Sequence, residues 1–330
     1  MSEISFELSG VPVRFTSDSP QLLNIFSNYF HYYSAISTDV TAAINVVLKF
    51  EQELLPAEKF APEQAEFIAA SGPVQMWREV LNDEEVYHFH AAVAAYRAHP
   101  HSGLLEAFIS PQALDSPHLL ANTYTFFPLL LLLRARSRYY LHTAAIISPQ
   151  DRLYLICAGQ RAGKSTLTVA LGLAGWHPVA DDCLLLSEVE GRAQLLPFKR
   201  DFHLSLEILK RWPELNDITK RHFYFDRACV GGLEFFGTSK LADLPREQVN
   251  ALIFPQITSE PESRIERVAA SEAILKLADQ SMYFPLWTKH SAQQMNLLTQ
   301  LTRRAIFYHL FAGTDILDDQ KCAARILSEV

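Results

Sequence analysis

The sequence predicts an α/β protein in two parts: an α+β unit over residues 1–115, then a larger α/β domain over 116–330. Three observations predict it. Short apolar runs alternate with polar residues through the first third. Composition changes at Pro111–Pro117. A strand, a glycine-bearing loop and a helix follow one another between Arg152 and Ala174, an order typical of α/β domains. With 330 residues, 49% of them hydrophobic and 20% charged, the chain has material for two cores, and global disorder is excluded.

Ile4–Leu8 and Val11–Phe15 alternate as half-buried strands do, with Gly10 between them as a hairpin signal. Ser19-Pro20 is a helix start, a capping hydroxyl before a first-turn proline. Leu22, Leu23, Ile25, Phe26, Tyr29, Phe30 and Tyr33 give that helix an apolar stripe. Val46–Phe50, Val86–Tyr96 and Leu104–Ile109 read as strands, and Glu51–Ala70 as a polar surface connection. Leu119–Leu133 reads as a long apolar helix. Arg134, Arg136 and Arg138 suit its C-terminus as a solvated end; a phosphate-binding role for them is the alternative. The domain boundary is placed at about residue 115.

Tyr139–Ile147 reads as a strand carrying His142, and Arg152–Cys157 as the next. The helix after the glycine loop is expected from Ser165 to about Ala174, stopped by Gly175. Val179–Leu186 is a strand interrupted by two carboxylates. Ala251–Phe254 is a buried strand. Ser271–Gln280 and His290 to about Ala312 read as helices, the second ended by Gly313.

The stretch Ala158-Gly159-Gln160-Arg161-Ala162-Gly163-Lys164-Ser165-Thr166 follows the phosphate-loop pattern G-x-x-x-x-G-K-[ST] between a strand and a helix. Its first glycine position holds Ala158, and Gly159 comes directly after. In such a loop, successive backbone N–H groups and the helix dipole make a concavity for phosphate oxygens. Lys164 is then the residue that reaches the β- and γ-phosphates, and Ser165 the hydroxyl that holds Mg²⁺. Arg161 is a candidate partner for nucleotide oxygens.

Asp181 and Asp182 stand in an apolar strand, where carboxylates are costly unless paired or bound to metal. Asp181 lies 17 residues after Lys164, enough for one helix, a turn and a short return strand. That path brings the pair back beside the loop. Phosphoryl transfer uses one carboxylate to hold Mg²⁺ and another to take the proton of the attacking hydroxyl. Asp181 is read as the base and Asp182 as the metal-linked group.

A histidine on one strand, a phosphate loop 16 residues later, and Pro178-Val179-Ala180-Asp181-Asp182 together resemble the catalytic domain of HPr kinase/phosphorylase and its relatives. The resemblance covers residues 139–190 well and 190–330 loosely. It implies a P-loop kinase domain with a fold related to phosphoenolpyruvate carboxykinase. It implies ATP and Mg²⁺, with phosphorylation of a hydroxyl, typically serine on a peptide or protein. It also implies that His142 assists Asp181 and Asp182, while Lys164 and Ser165 keep the roles given above. The family's Arg-Gly-Leu-Gly signature has no counterpart; Val230-Gly231-Gly232-Leu233-Glu234 lies in a similar region. Two alternatives remain: a small-molecule hydroxyl kinase, and a nucleotide-binding regulatory module without turnover. The N-terminal unit is expected to recognise the acceptor or to mediate homo-oligomerisation.

Other signals are weaker. Lys199, Arg200 and Lys240 are cations that could meet phosphate or remain solvated. Phe223-Tyr224-Phe225 reads as core. Lys plus Arg total 29 against 37 Asp plus Glu, a net charge of −8, which argues against a nucleic-acid partner. Cys157, Cys183, Cys229 and Cys322 form no C-x-x-C pair, which suits buried thiols in a reducing compartment. No signal peptide is read at the N-terminus. The longest apolar run, Phe126–Leu133, is far short of the ~20 residues of a membrane span. A cytoplasmic protein that does not enter a membrane is expected.

Overall fold

The structure, a computed structural model, describes residues 1–330 apart from 32, 38, 55, 160–161, 199–200, 213–214, 216–220, 225–226, 232–247, 282–287 and 330. The chain forms two compact units, Met1–Arg138 and Tyr139–Val330.

The first unit is built on one eight-stranded sheet. Its strands are β1 (Ser2–Leu8), β2 (Val11–Ser17), β3 (Ile44–Phe50), β4 (Glu66–Ser71), β5 (Val74–Leu81), β6 (Glu84–Ala91), β7 (Ala94–His99) and β8 (Leu104–Ile109), in the order β1-β2-β3-β8-β7-β6-β5-β4. β3 runs parallel to β2 and β8, and the remaining pairs are antiparallel. The alternation that marks the strands in sequence is the alternation of the pleat. Val13, Phe15, Ile44, Val46, Leu105 and Ala107 are all buried and, by register, share one face. Helix α1 (Pro20–Tyr29) is capped by the Ser19 hydroxyl, which accepts from the Leu22 N–H. It lays Phe26 on Phe15 with ring centroids 5.0 Å apart. Burying one such ring is worth roughly 1.5–3 kcal/mol.

Four expectations change in this unit. Val86–Tyr96 is two strands, β6 and β7, and part of the stretch read as a surface connection is strand β4. The boundary falls after Arg138, not near residue 115. The reason is the apolar segment itself. Leu129–Leu133 are each at most 1% exposed, so they need a sheet to lie on, and helix α2 (Phe126–Arg134) packs on β7 and β8. Tyr29 donates to Asn122, and Tyr96 bonds Thr125, fixing the same segment. The arginines are engaged within the unit and do not form a fully solvated helix end. Arg134 is buried, Arg136 donates to the carbonyls of Ala43 and Pro100, and Arg138 donates to that of Ser9.

The second unit holds three sheets among the described residues. Its strands in chain order are β9 (Tyr139–Leu141), β10 (Thr143–Ile147), β11 (Leu153–Cys157), β12 (His177–Ala180), β13 (Leu184–Val189), β14 (Arg192–Pro197), β15 (Asp201–Ser205), β16 (Arg221–Tyr224), β17 (Arg227–Gly231), β18 (Ala251–Ile257), β19 (Arg264–Arg267) and β20 (Ile306–Ala312). The main sheet runs β12-β10-β11-β18-β20-β19, and smaller sheets run β14-β13-β9 and β15-β17-β16. β11, β18 and β20 are parallel to one another, whereas β10 is antiparallel to both β11 and β12.

β11 is buried on both faces, which is why Leu-Tyr-Leu-Ile-Cys reads as a continuous apolar run. Leu153, Leu155 and Cys157 join the core that also contains Ala273 and Leu277 of helix α5 (Ala270–Ser281) and Leu297 and Leu298 of α6 (Thr288–Thr302). Tyr154 and Ile156 face Leu167 and Leu171 of helix α3 (Lys164–Leu173) and Leu327 of α7 (Gln320–Ser328). α4 (Leu206–Arg211) packs on another side of α3.

Two segments differ from expectation here. Tyr139–Ile147 belongs to two sheets, with the break at His142. The second C-terminal helix ends at Thr302, and Ile306–Ala312 is strand β20, not helix. Its aromatic residues and β-branched start suit a buried parallel strand beside β18. Among the described residues no helix is long and apolar enough to cross a membrane. Among the described residues, Cys157, Cys183 and Cys322 are buried thiols that form no disulfide.

Candidate functional site

Three chain segments meet at one end of the main sheet because of strand direction. β12 is antiparallel to β10 and β10 to β11, so β12 and β11 end at the same edge, where β10 begins. β11 runs into the glycine-bearing loop that precedes α3, β12 runs into Asp181-Asp182, and His142 directly precedes β10. The register Thr143↔Cys157 sets His142 level with Ala158.

The loop turns into α3 at Gly163, whose φ of +89° is left-handed, a conformation that L side chains adopt only under strain. Neither Ala158 nor Gly159 has a positive φ, so the alanine at the first glycine position carries no backbone cost. Gln160 and Arg161 lie outside the described residues, as do Lys199, Arg200 and Lys240. Ala162 and Gly163 lead into the first turn of α3, whose free N–H groups include those of Lys164, Ser165 and Thr166.

Lys164 is 6% exposed. Its Nζ donates to the Ala158 carbonyl at 2.7 Å and to His142 Nε2 at 2.8 Å, and lies 3.4 Å from Asp182 Oδ1. An ammonium only donates, so Nε2 accepts and the neutral imidazole carries its proton on Nδ1. That nitrogen faces the Tyr140 hydroxyl at 2.7 Å and Asp182 Oδ1 at 3.4 Å. The His142 backbone N–H donates to the Gln280 carbonyl on α5, which fixes the corner between β9 and β10.

Asp181 is fully buried. Its Oδ2 accepts from the Ser165 hydroxyl at 2.8 Å and from the His203 backbone N–H at 3.2 Å. Its Oδ1 is buried with no hydrogen-bond partner among the described residues. Burial, and then the neighbouring Asp182 carboxylate, push the Asp181 carboxyl up to about 7. Asp182 differs in being about one-third exposed at its side chain.

The sequence-predicted residues His142, Lys164, Ser165, Asp181 and Asp182 are therefore brought together. Sequence reasoning missed three participants: the Tyr140 hydroxyl, the His203 backbone amide and the Gln280 carbonyl. Tyr140 stands two residues before His142, a same-side spacing on a strand, which is a readable signal. The other two act through backbone atoms from distant segments and leave no trace in residue type.

The donor set suits Mg²⁺. A serine hydroxyl beside a carboxylate with one unpartnered oxygen offers hard oxygen ligands, and Mg²⁺ is commonly held by one or two carboxylates together with substrate phosphates. Among the described residues, no group of three His, Cys, Asp or Glu side chains forms a self-contained metal site, so water or ligand oxygens would complete the shell.

No family model matches this chain, and no curated protein does. Among solved structures it is similar to the Hpr(Ser) kinase/phosphatase from Coxiella burnetii. The identity is 14% and the TM-score 0.26, over 48% of this chain and 87% of that one.

Proposed function

We propose that this chain is an ATP-dependent phosphotransferase that moves the γ-phosphoryl group to a hydroxyl acceptor. The observation that supports it best is the convergence of Ser165 with Asp181 and of Lys164 with Asp182 and His142 at the start of α3. Binding alone needs the loop and a cation; a second, more exposed carboxylate within 3.4 Å of the lysine adds a proton acceptor.

In this reading the amides of Gly163–Thr166 hold phosphate oxygens and Lys164 neutralises the β- and γ-phosphates. Ser165 and Asp181 would hold Mg²⁺, which when bound would supply neutralisation of phosphate charge. This exchanges the roles read from sequence. Asp181 is buried against the Ser165 hydroxyl, the place for a metal-linked carboxylate. Asp182 is open to solvent and beside His142, the place for a base. Asp182 takes the proton of the acceptor hydroxyl as its oxygen bonds to the γ-phosphorus. The bond from that phosphorus to the β,γ-bridging oxygen breaks, and ADP leaves with the electron pair. The His142 Nδ1–H, facing Asp182 and Tyr140, orients the carboxylate.

The test is nucleotide binding and γ-phosphate release with Mg²⁺ and γ-labelled ATP, in the presence and absence of hydroxyl acceptors. Binding that is lost in Lys164→Ala, with label transferred to an acceptor, is the expected result. Binding unaffected by Lys164→Ala would overturn the reading, as would release of inorganic phosphate with no acceptor ever labelled.

A further inference from the structure

A cleft of about 270 Å³ opens beside the phosphate loop, on the α5 side of the main sheet. One wall is loop backbone at Ala158 and Gly159; the others carry Phe254, His309, Lys276 and Asp279. Ala158 ties the cleft to the reaction centre, because its carbonyl is also the acceptor of the Lys164 ammonium. In a phosphate loop the helix amides take the inner phosphates and the lysine reaches outward to the γ-phosphate. A molecule in the cleft therefore meets the outer end of the triphosphate. The far wall is tied to the same place, since α5 accepts the His142 N–H at Gln280.

Among the described residues that line the cleft, one is a lysine or arginine, Lys276. Lys276 Nζ lies 3.0 Å from Glu272, 2.7 Å from His309 Nε2 and 5.5 Å above the centre of the Phe254 ring. Glu272 is exposed, so its pairing with Lys276 is solvent-screened and weak. A ligand anion can exchange for it. The need for such a cation is electrostatic. Asp181, Asp182 and Asp279 make this end of the sheet acidic, in a chain of net charge −8. An anionic acceptor is repelled there unless a fixed positive charge receives it.

We propose, resting on the phosphotransferase reading above, that this cleft seats the acceptor and that Lys276 reads it. The acceptor is then a small hydroxyl compound bearing a carboxylate or phosphate group. Lys276 is the specificity-determining residue for that anion, with Phe254 and His309 holding its ammonium in place. This departs from the peptide or protein serine that the motif resemblance implies.

The experiment supplies γ-labelled ATP and Mg²⁺ to the full chain with matched acceptors: glycerate and glycerol 3-phosphate, which separate the two anions, each against neutral glycerol. The expected result is label on at least one anionic member, with kcat/KM about tenfold or more above its neutral twin, a margin of ~1.4 kcal/mol. Lys276→Gln is expected to erase that preference mainly through KM, and Lys276→Arg to restore most of it. Equal labelling of charged and neutral twins, label on none of the anionic compounds, or a preference that survives Lys276→Gln would each overturn the proposal. Lys164-dependent nucleotide binding, measured in the same preparation, separates the two failures. If it persists, only the acceptor assignment falls; if it is absent, the phosphotransferase reading falls first.

Discussion

Each unit contains a cluster of buried ionisable side chains, and the two clusters differ in where the backbone places them. In the first unit Glu79 and His88 sit mid-strand on β5 and β6, 8% and 1% exposed. Both Glu79 oxygens are used, one accepting from Gln64 at 2.6 Å and the other 3.1 Å from His88 Nε2. In the second unit Asp181 and Asp182 lie just past the end of β12, facing a helix start. One Asp181 oxygen has no partner among the described residues. A mid-strand cluster has its neighbours dictated by sheet register, although His88 Nδ1, like Asp181 Oδ1, is buried without a hydrogen-bond partner among the described residues. A cluster at strand ends borders loop amides and can accept a ligand. The same residue types thus favour structure in one place and chemistry in the other.

The sharpest way to break this comparison is Asp182→Asn. If the strand-end cluster is catalytic, transfer falls by roughly 10²–10⁴, the usual worth of a positioned proton acceptor, while ATP affinity changes only slightly. Single-turnover label transfer beside equilibrium nucleotide binding reads both. A parallel loss of binding and transfer would show that Asp182 holds the loop together instead.

The mid-strand cluster should respond in the opposite currency. Glu79→Ala leaves His88 buried without its carboxylate, and a loss of about 1–3 kcal/mol is expected. Hydrogen-exchange protection of the β5 and β6 amides reports it locally, while transfer per folded molecule stays as in the parent. A catalytic defect in Glu79→Ala would erase the contrast between the clusters.

A smaller effect comes from pH. Burial holds the His88 imidazole below its ordinary value of 6.5, against the opposing pull of Glu79. Above that value both folded and unfolded chains carry a neutral ring. As pH falls below 6.5 the unfolded chain takes up its proton first, so the folded state loses stability until the folded pKa is passed. His99, lowered for the same reason, adds in the same direction. The informative quantity is therefore the difference between parent and His88→Asn. The variant should show a shallower loss of β6 protection between pH 7 and 5; an unchanged slope would mean that His88 titrates alike in both states.

How much of this was legible depended on whether a feature is written in consecutive residues. The loop from Ala158 to Thr166, helix α3 with Gly175 after it, and the return to Asp181 are local, and each is readable in order. The proposed assignment of base and metal-linked carboxylate was not, because it rests on depth. Asp181 and Asp182 are neighbours in sequence, yet only the first lies under Ser165 and the β15 amide. Ile306–Ala312 was read as helix because it continues an apolar pattern after α6. Its strand character comes from β18 beside it, a partner about 55 residues earlier. The boundary near residue 115 failed similarly. Pro111–Pro117 is a genuine change of composition, but the segment beyond it is too apolar to leave the first sheet.

The smallest expected effect bears on the motif itself. Ala158 departs from the phosphate-loop pattern, and a Cβ restricts φ where the pattern has glycine. The backbone says otherwise: the left-handed turn is at Gly163, and Ala158 has an ordinary negative φ. Ala158→Gly would restore the pattern while adding conformational freedom to the unfolded chain, so it should destabilise the protein by roughly 0.4–1 kcal/mol. It should not tighten nucleotide binding, because the Ala158 carbonyl already holds Lys164 at 2.7 Å and a looser backbone orders that carbonyl less. A variant that gained nucleotide affinity would mean that the loop reaches its bound form only through a positive φ at residue 158. The strand-end cluster would then be less preorganised than its geometry indicates.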